Sequence, residues 1–191
     1  LMDGGKQRDK SKIAELFPII REIRNQDLAD RIAAVWLRAW GMSKWERLED
    51  ACFNPDIQER DCRLVDHVNV TTIASLQMAK LIERYQGESF DYERILTIGL
   101  LHDVSKLLEY EPDGKGGYQR SSIGEKLQHG FYGAVLAREE GFSEEALHLI
   151  LTHTPQSKMK PQYKEAILFS YMDLCDADMV FYERGLPLFA E

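Results

Sequence analysis

The chain has 191 residues, 44% of them hydrophobic, and a formal net charge of −8. That charge disfavours a nucleic-acid coat or a polybasic membrane anchor, and no apolar run is long enough to span a bilayer. The size favours one domain with an extension over two domains.

The three cysteines, Cys52, Cys62 and Cys175, form no CxxC pair, which is the usage of reduced thiols in a cytoplasmic protein; no secretory leader is read at the N-terminus. Residues 1–10 are polar and Gly-containing and read as a frayed end. Ile13, Leu16, Phe17 and Ile20 then recur at helical spacing, with Pro18 as a kink or a first-turn residue. A second helix follows Asp27, with Leu28, Ile32, Val35, Trp36 and Ala39 as its stripe and Gly41 as its stop. Ser43 and Glu46 have the spacing of a capping box, predicting a short helix with Trp45 and Leu48 that Pro55 ends. This stretch, 1–60, holds all three tryptophans and no histidine. It reads as packing rather than chemistry, either covering the main domain or joining two copies of the chain into a homo-oligomer.

The main domain, 61–191, begins near Asp61. Its first helix runs from about Leu64 to Gly87 with His67 near its start. Asp91 opens a second, with Ile95, Leu96, Ile98, Leu100 and Leu101 crowding into a core-facing run. Residues 111–117 form a loop, and a single helix is expected from Ile123 to Glu140 with His129 on it. Ser143 caps a helix ending at His153, Thr154 to Pro161 is a second loop, and a last helix spans about Gln162 to Arg184. No strand alternation and no repeat is present. The fold class is all-α.

The chemistry concentrates at Gly99-Leu100-Leu101-His102-Asp103-Val104-Ser105-Lys106. Adjacent side chains on a helix diverge by about 100°, so His102 and Asp103 converge only if something sits between them. A first-row metal ion is the natural occupant, since imidazole and carboxylate both ligate one. His67, His102, His129 and His153 lie 35, 27 and 24 residues apart, about one helix and one turn each, so successive helices can offer one ligand apiece to a shared centre. His148 has no place in that series and reads as an ordinary helix residue. For the last carboxylate, Asp173 shares a face of small residues with Ala166, Ser170 and Ala177; Asp176 and Asp178 are alternative registers.

The order His67, His102-Asp103, His129, His153, Asp173, with GLLHDVSK at its centre, strongly resembles the HD-domain superfamily of metal-dependent phosphohydrolases. Met172-Asp173-Leu174-Cys175-Asp176-Ala177 fits the superfamily's closing motif with Met in place of Ala. The resemblance covers about Asp61 to Arg184. Gln128-His129-Gly130, Gly133-Ala134 and His153-Thr154 look most like the bacterial diadenosine tetraphosphate hydrolases of this type.

The resemblance implies an HD helical bundle that hydrolyses a phosphate ester or anhydride of a nucleotide with a metal-activated hydroxide. It implies one or two divalent ions per chain, from among Fe, Mn, Co, Ni and Zn. Asp103 would bridge them, with His67, His102 and Asp173 on one side and His129 and His153 on the other. Asp103 and Lys106 would be catalytic, and Lys106 would also meet the phosphate. Lys115, Arg120 and Lys158, in the two loops, are expected to bind the distal part of the substrate. Two other readings stay open: a di-iron oxygenase of the inositol-oxygenase-like kind, which shares the ligand set, and a regulatory metal-binding module.

Overall fold

The structure, a computed structural model, describes residues 9–57, 62–154 and 156–189. Residues 1–8 of the expected frayed end at 1–10, the junction at Asp61 and Pro155 lie outside the described residues; Asp9 and Lys10 already belong to the start of a helix rather than to a frayed end. Helix α1 (Lys10–Leu16) is capped by the Asp9 carboxylate, and Pro18 opens a 3-10 turn (Pro18–Glu22) immediately after it. Helix α2 (Gln26–Met42) is capped by Asn25. Gly41 lies inside α2 with Ser43 as C-cap, so the stop is not at the glycine. The expected capping-box helix is absent. The Ser43 hydroxyl donates back to the Trp40 carbonyl as well as accepting the Trp45 N–H at 3.3 Å, and only a 3-10 turn (Leu48–Asp50) follows.

Helix α3 (Leu64–Gln86) ends in a left-handed Gly87, and α4 (Tyr92–Leu101) starts on the Asp91 carboxylate. After a turn at 102–105 come α5 (Lys106–Glu109) and an antiparallel hairpin of β1 (Tyr110–Pro112) and β2 (Tyr118–Arg120). Three-residue strands are too short to register as alternation. The helix expected over 123–140 is two, α6 (Ser122–Lys126) and α7 (Phe131–Glu139), separated by a left-handed Gly130 at φ +80°. Helix α8 (Glu144–Thr152) is capped by Ser143, and α9 (Lys164–Tyr182) closes the bundle. The all-α class holds, with the hairpin as a small addition.

One apolar core runs from Ile13 through Trp36, Leu64 and Leu100 to Ile150, so the N-terminal helices share it with the later ones. The buried tryptophans also tie the two stretches by hydrogen bonds. Trp36 Nε1–H donates to the Leu100 carbonyl at 2.7 Å, and Trp45 Nε1–H to the Tyr110 carbonyl at 3.0 Å. α3 packs against both α4 and α9, bringing His67, His102 and Asp173 to one level. The α3–α4 approach needs a glycine. A methyl group at Gly99 would come within 2.5 Å of Thr72 Oγ1.

Candidate metal centre

Each histidine of the series sits where a helix begins, ends or breaks. His67 is in the first turn of α3, His102 follows the end of α4, His129 lies in the break before α7, and His153 caps the end of α8. Two clusters result: His67, His102 and Asp173, and Asp103, His129 and His153, each with its ligand atoms within 4.8 Å of one another.

Asp103 lies between them. Its Oδ2 is 3.3 Å from His67 Nε2 and 3.4 Å from His102 Nε2; its Oδ1 is 3.0 Å from His129 Nε2 and 3.9 Å from His153 Nε2. Asp173 Oδ1 is 3.0 Å from His67 Nε2. The other two registers are spoken for. Asp176 Oδ2 faces His67 Nδ1 at 2.6 Å, on the far side of the ring, and Asp178 accepts the Phe189 backbone N–H at 2.6 Å.

The protons of this cluster are decided by what each Nδ1 meets. His102 Nδ1 is 2.8 Å from the Gly99 carbonyl, and His153 Nδ1 is 2.6 Å from the Ile150 carbonyl. His67 Nδ1 meets Asp176, and His129 Nδ1 meets Glu109 Oε2 at 2.8 Å. All four partners accept hydrogen bonds, so each Nδ1 donates and the neutral ring leaves its Nε2 as a lone pair. Those four lone pairs point inward, at one another (His67 to His102 and His129 to His153, both 3.3 Å) and at Asp103 and Asp173. Asp103 Oδ2 has no aligned hydrogen-bond donor, although Lys106 Nζ is 2.7 Å away.

From the chain's own charges alone, the electrostatics instead draw protons onto two of the four rings. Burial opposes charge on His67, but Asp103, Asp173 and Asp176 outweigh it and push its pKa up to about 10. Asp103 and Glu109 likewise raise His129 to about 9 against its burial. His153 is buried and faces His102 and His129, and falls to about 3. Burial opposes charge on Asp103, yet Lys106 and the imidazoles hold it well below the usual carboxylate range. These carboxylates demand positive charge at the Nε2 positions. A proton reaches one facing pair at a time, whereas a divalent cation in each cluster serves every inward nitrogen and oxygen together. The donor set therefore fits two ions.

The clusters open into a cavity of about 310 Å³, reached by Asp103, His129, His153 and Asp173. Lys106 lines it, held between Asp103 and the Phe53 ring, whose centroid is 3.9 Å from Nζ. Of the loop cations expected to meet substrate, Arg120 lines the cavity. Lys115 is exposed near the hairpin tip and Lys158 is exposed in the 154–161 loop, and neither belongs to the lining. His148 is elsewhere, accepting the Gln162 N–H. The reading of 1–60 as packing alone needs correction, because Phe53, Asn54 and Asp56 line the cavity and Phe53 rests on His67 with ring centroids 4.1 Å apart. Glu109 and Phe53 went unnoticed in the sequence. Glu109 carried the weak signal of a carboxylate three residues after Lys106. Phe53 carried none, since its partners come from distant helices.

A family model, HD domain, matches residues 71–178, more than half of the chain. The match includes His102, Asp103, His129, His153 and Asp173, and begins four residues after His67. No curated protein and no solved structure matches the chain. No helix among the described residues is long and apolar enough to cross a membrane. With a helical bundle, paired His/Asp clusters and this match, the chain belongs to the HD-domain superfamily, the metal-dependent phosphohydrolases.

Proposed function

We propose that the chain hydrolyses a phosphate ester or anhydride of a nucleotide, using two divalent ions. His67, His102 and Asp173 would hold one, Asp103, His129 and His153 the other. The observation that carries this reading is the set of four imidazoles whose Nδ1 atoms all donate outward and whose Nε2 atoms all face the carboxylates of Asp103, buried, and Asp173, half-buried. Ions there would lower the pKa of a coordinated water and offset charge on phosphoryl oxygens.

The chain's own residues supply the rest. Lys106 brings an ammonium to the cavity wall, where negative charge builds on a phosphoryl group under attack. Burial works against that charge, but Asp103 more than compensates and keeps Lys106 protonated. Asp176 and Glu109 fix the rotation and tautomer of His67 and His129. Arg120, which lines the cavity, would meet the distal part of a substrate. Imidazole and carboxylate ligands suit iron and manganese, as well as cobalt, nickel and zinc.

Metal analysis of gently purified protein, followed by an anaerobic phosphate-release screen over nucleotides, tests the reading. Release that stops on chelation without unfolding supports it. Oxygen consumption without phosphate release points to an oxygenase, and melting on chelation with no turnover points to a regulatory module.

A further inference from the structure

The cavity beside the metal centre has one wall unlike the others. Phe181 and Phe189 pack with ring centroids 4.8 Å apart and line the cavity together with Leu174 and Ala177. Phe53 joins the same wall, but its ring is engaged by His67 and Lys106. The ring surface left for a ligand is mainly that of Phe189, 45% exposed, with the buried Phe181 packed behind it at the cavity wall. The Phe189 backbone is pinned by the Asp178 carboxylate, so the ring is presented from a tethered tail. None of these three phenylalanines falls within the residues matched to the family, 71–178. The wall is a contribution of this chain's flanks.

The cavity's size and charge limit what can meet that wall. At about 310 Å³ it stands at the small end of ligand sites, which run from about 300 to 1,000 Å³. Its lining has two permanent cations, Lys106 and Arg120, against Asp56, Asp103, Glu109 and Asp173. Lys106 is committed to Asp103, which leaves Arg120 as the cation beyond the centre. A polyphosphate chain needs several cations along its length, and a second nucleoside needs a second pocket.

We infer that the substrate is a phosphomonoester whose organic part carries one flat aromatic ring, with the phosphate at the metal centre and the ring on Phe181 and Phe189. This rests on the hydrolase reading and narrows it. Aromatic faces attract flat rings by burial and offset stacking, with little demand for a particular hydrogen-bond pattern.

The test uses the full chain loaded with metal. Phosphate release is measured from the four ribonucleoside 5′-monophosphates, p-nitrophenyl phosphate, ribose 5-phosphate, ATP and diadenosine tetraphosphate. Calorimetric titration of the same compounds reads binding apart from turnover. The best aromatic monoester should exceed ribose 5-phosphate by at least tenfold in kcat/KM, mostly through KM, and should also exceed ATP and the tetraphosphate. Phe181→Leu and Phe189→Ala should each shrink the aromatic advantage to a few-fold. The partly exposed Phe189 supplies a variant that folds even if the buried Phe181 does not tolerate change. Equal rates for ribose 5-phosphate, a preference for a polyphosphate, or an unchanged ratio in Phe189→Ala would overturn the inference while leaving a hydrolase. If nothing is hydrolysed but aromatic monoesters still bind tenfold tighter than ribose 5-phosphate, and Phe189→Ala removes that margin, the subsite stands and the hydrolase reading fails.

Discussion

The two halves of the metal centre are built to one plan and finished differently. Each has one histidine backed by a carboxylate, His67 by Asp176 and His129 by Glu109. Each has one backed by a carbonyl three residues earlier, His102 by Gly99 and His153 by Ile150. In the first half the histidines are sealed, and Asp173 alone of that triad lines the cavity. His67 and His102 are 4% and 0% exposed, covered by Phe53 and Phe169, and neither reaches the cavity. The second half opens to the cavity through both of its histidines. If the centre works as proposed, the difference would separate holding from reacting, since both histidines of the first triad sit among packed helices and both of the second line the cavity.

The largest effect is expected where the halves meet. Asp103→Asn should lower both metal stoichiometry and phosphate release, the latter by roughly 10³-fold or more, since it removes the charge shared by both clusters. Elemental analysis beside a turnover assay checks it. A variant retaining two tightly held ions would break the comparison.

Next, His102→Ala and His129→Ala should differ in kind. The first should empty the sealed half and disturb Asp103, costing both ions. The second should leave one ion per chain. Stoichiometry by elemental analysis decides, and an identical loss in the two variants would mean that the halves are not distinct.

The carboxylates behind the rings should give smaller, half-specific effects. Asp176→Asn should weaken the first ion and Glu109→Gln the second, each by about 10–100-fold in affinity. Chelator titration of each variant would show which ion leaves first. In the unmodified chain the open half should lose its ion first.

The smallest effect belongs to the α3–α4 contact. Gly99→Ala forces a methyl group against Thr72 and should cost about 1–3 kcal/mol of stability, read by denaturant unfolding. It should also weaken the first ion more than the second, because Gly99 carries the carbonyl that orients His102.

The helices and the ligand order were legible in the sequence because both depend on local chemistry. Asp91 and Ser143 act as caps, Gly87 ends α3, and the histidines keep a helix-length spacing. What was not legible depended on choices between similar local options. Ser43 accepts the Trp45 N–H as a cap would, yet its hydroxyl also donates back to Trp40 and no helix follows. Gly130 took a left-handed turn inside a run whose apolar spacing looked continuous. Lys115 and Arg120 sit five residues apart, but the hairpin carries one toward its exposed tip and leaves the other at the cavity. The aromatic wall joins residues more than a hundred positions apart, Phe53 to Phe181, and no local pattern encodes such a meeting.

The left-handed Gly130 also has a consequence for motion. His129 belongs to no helix, and the stretch from Leu127 to Gly130 lies between two short ones. Its amides are not locked into a long hydrogen-bonded ladder, so native-state hydrogen exchange there can proceed through a small local opening rather than through unfolding of the bundle. That opening would carry His129 away from Asp103 while α3, α4 and α9 stay packed. One ligand of the second triad thus hangs on backbone between two short helices, whereas His67 of the first lies within the 23-residue α3.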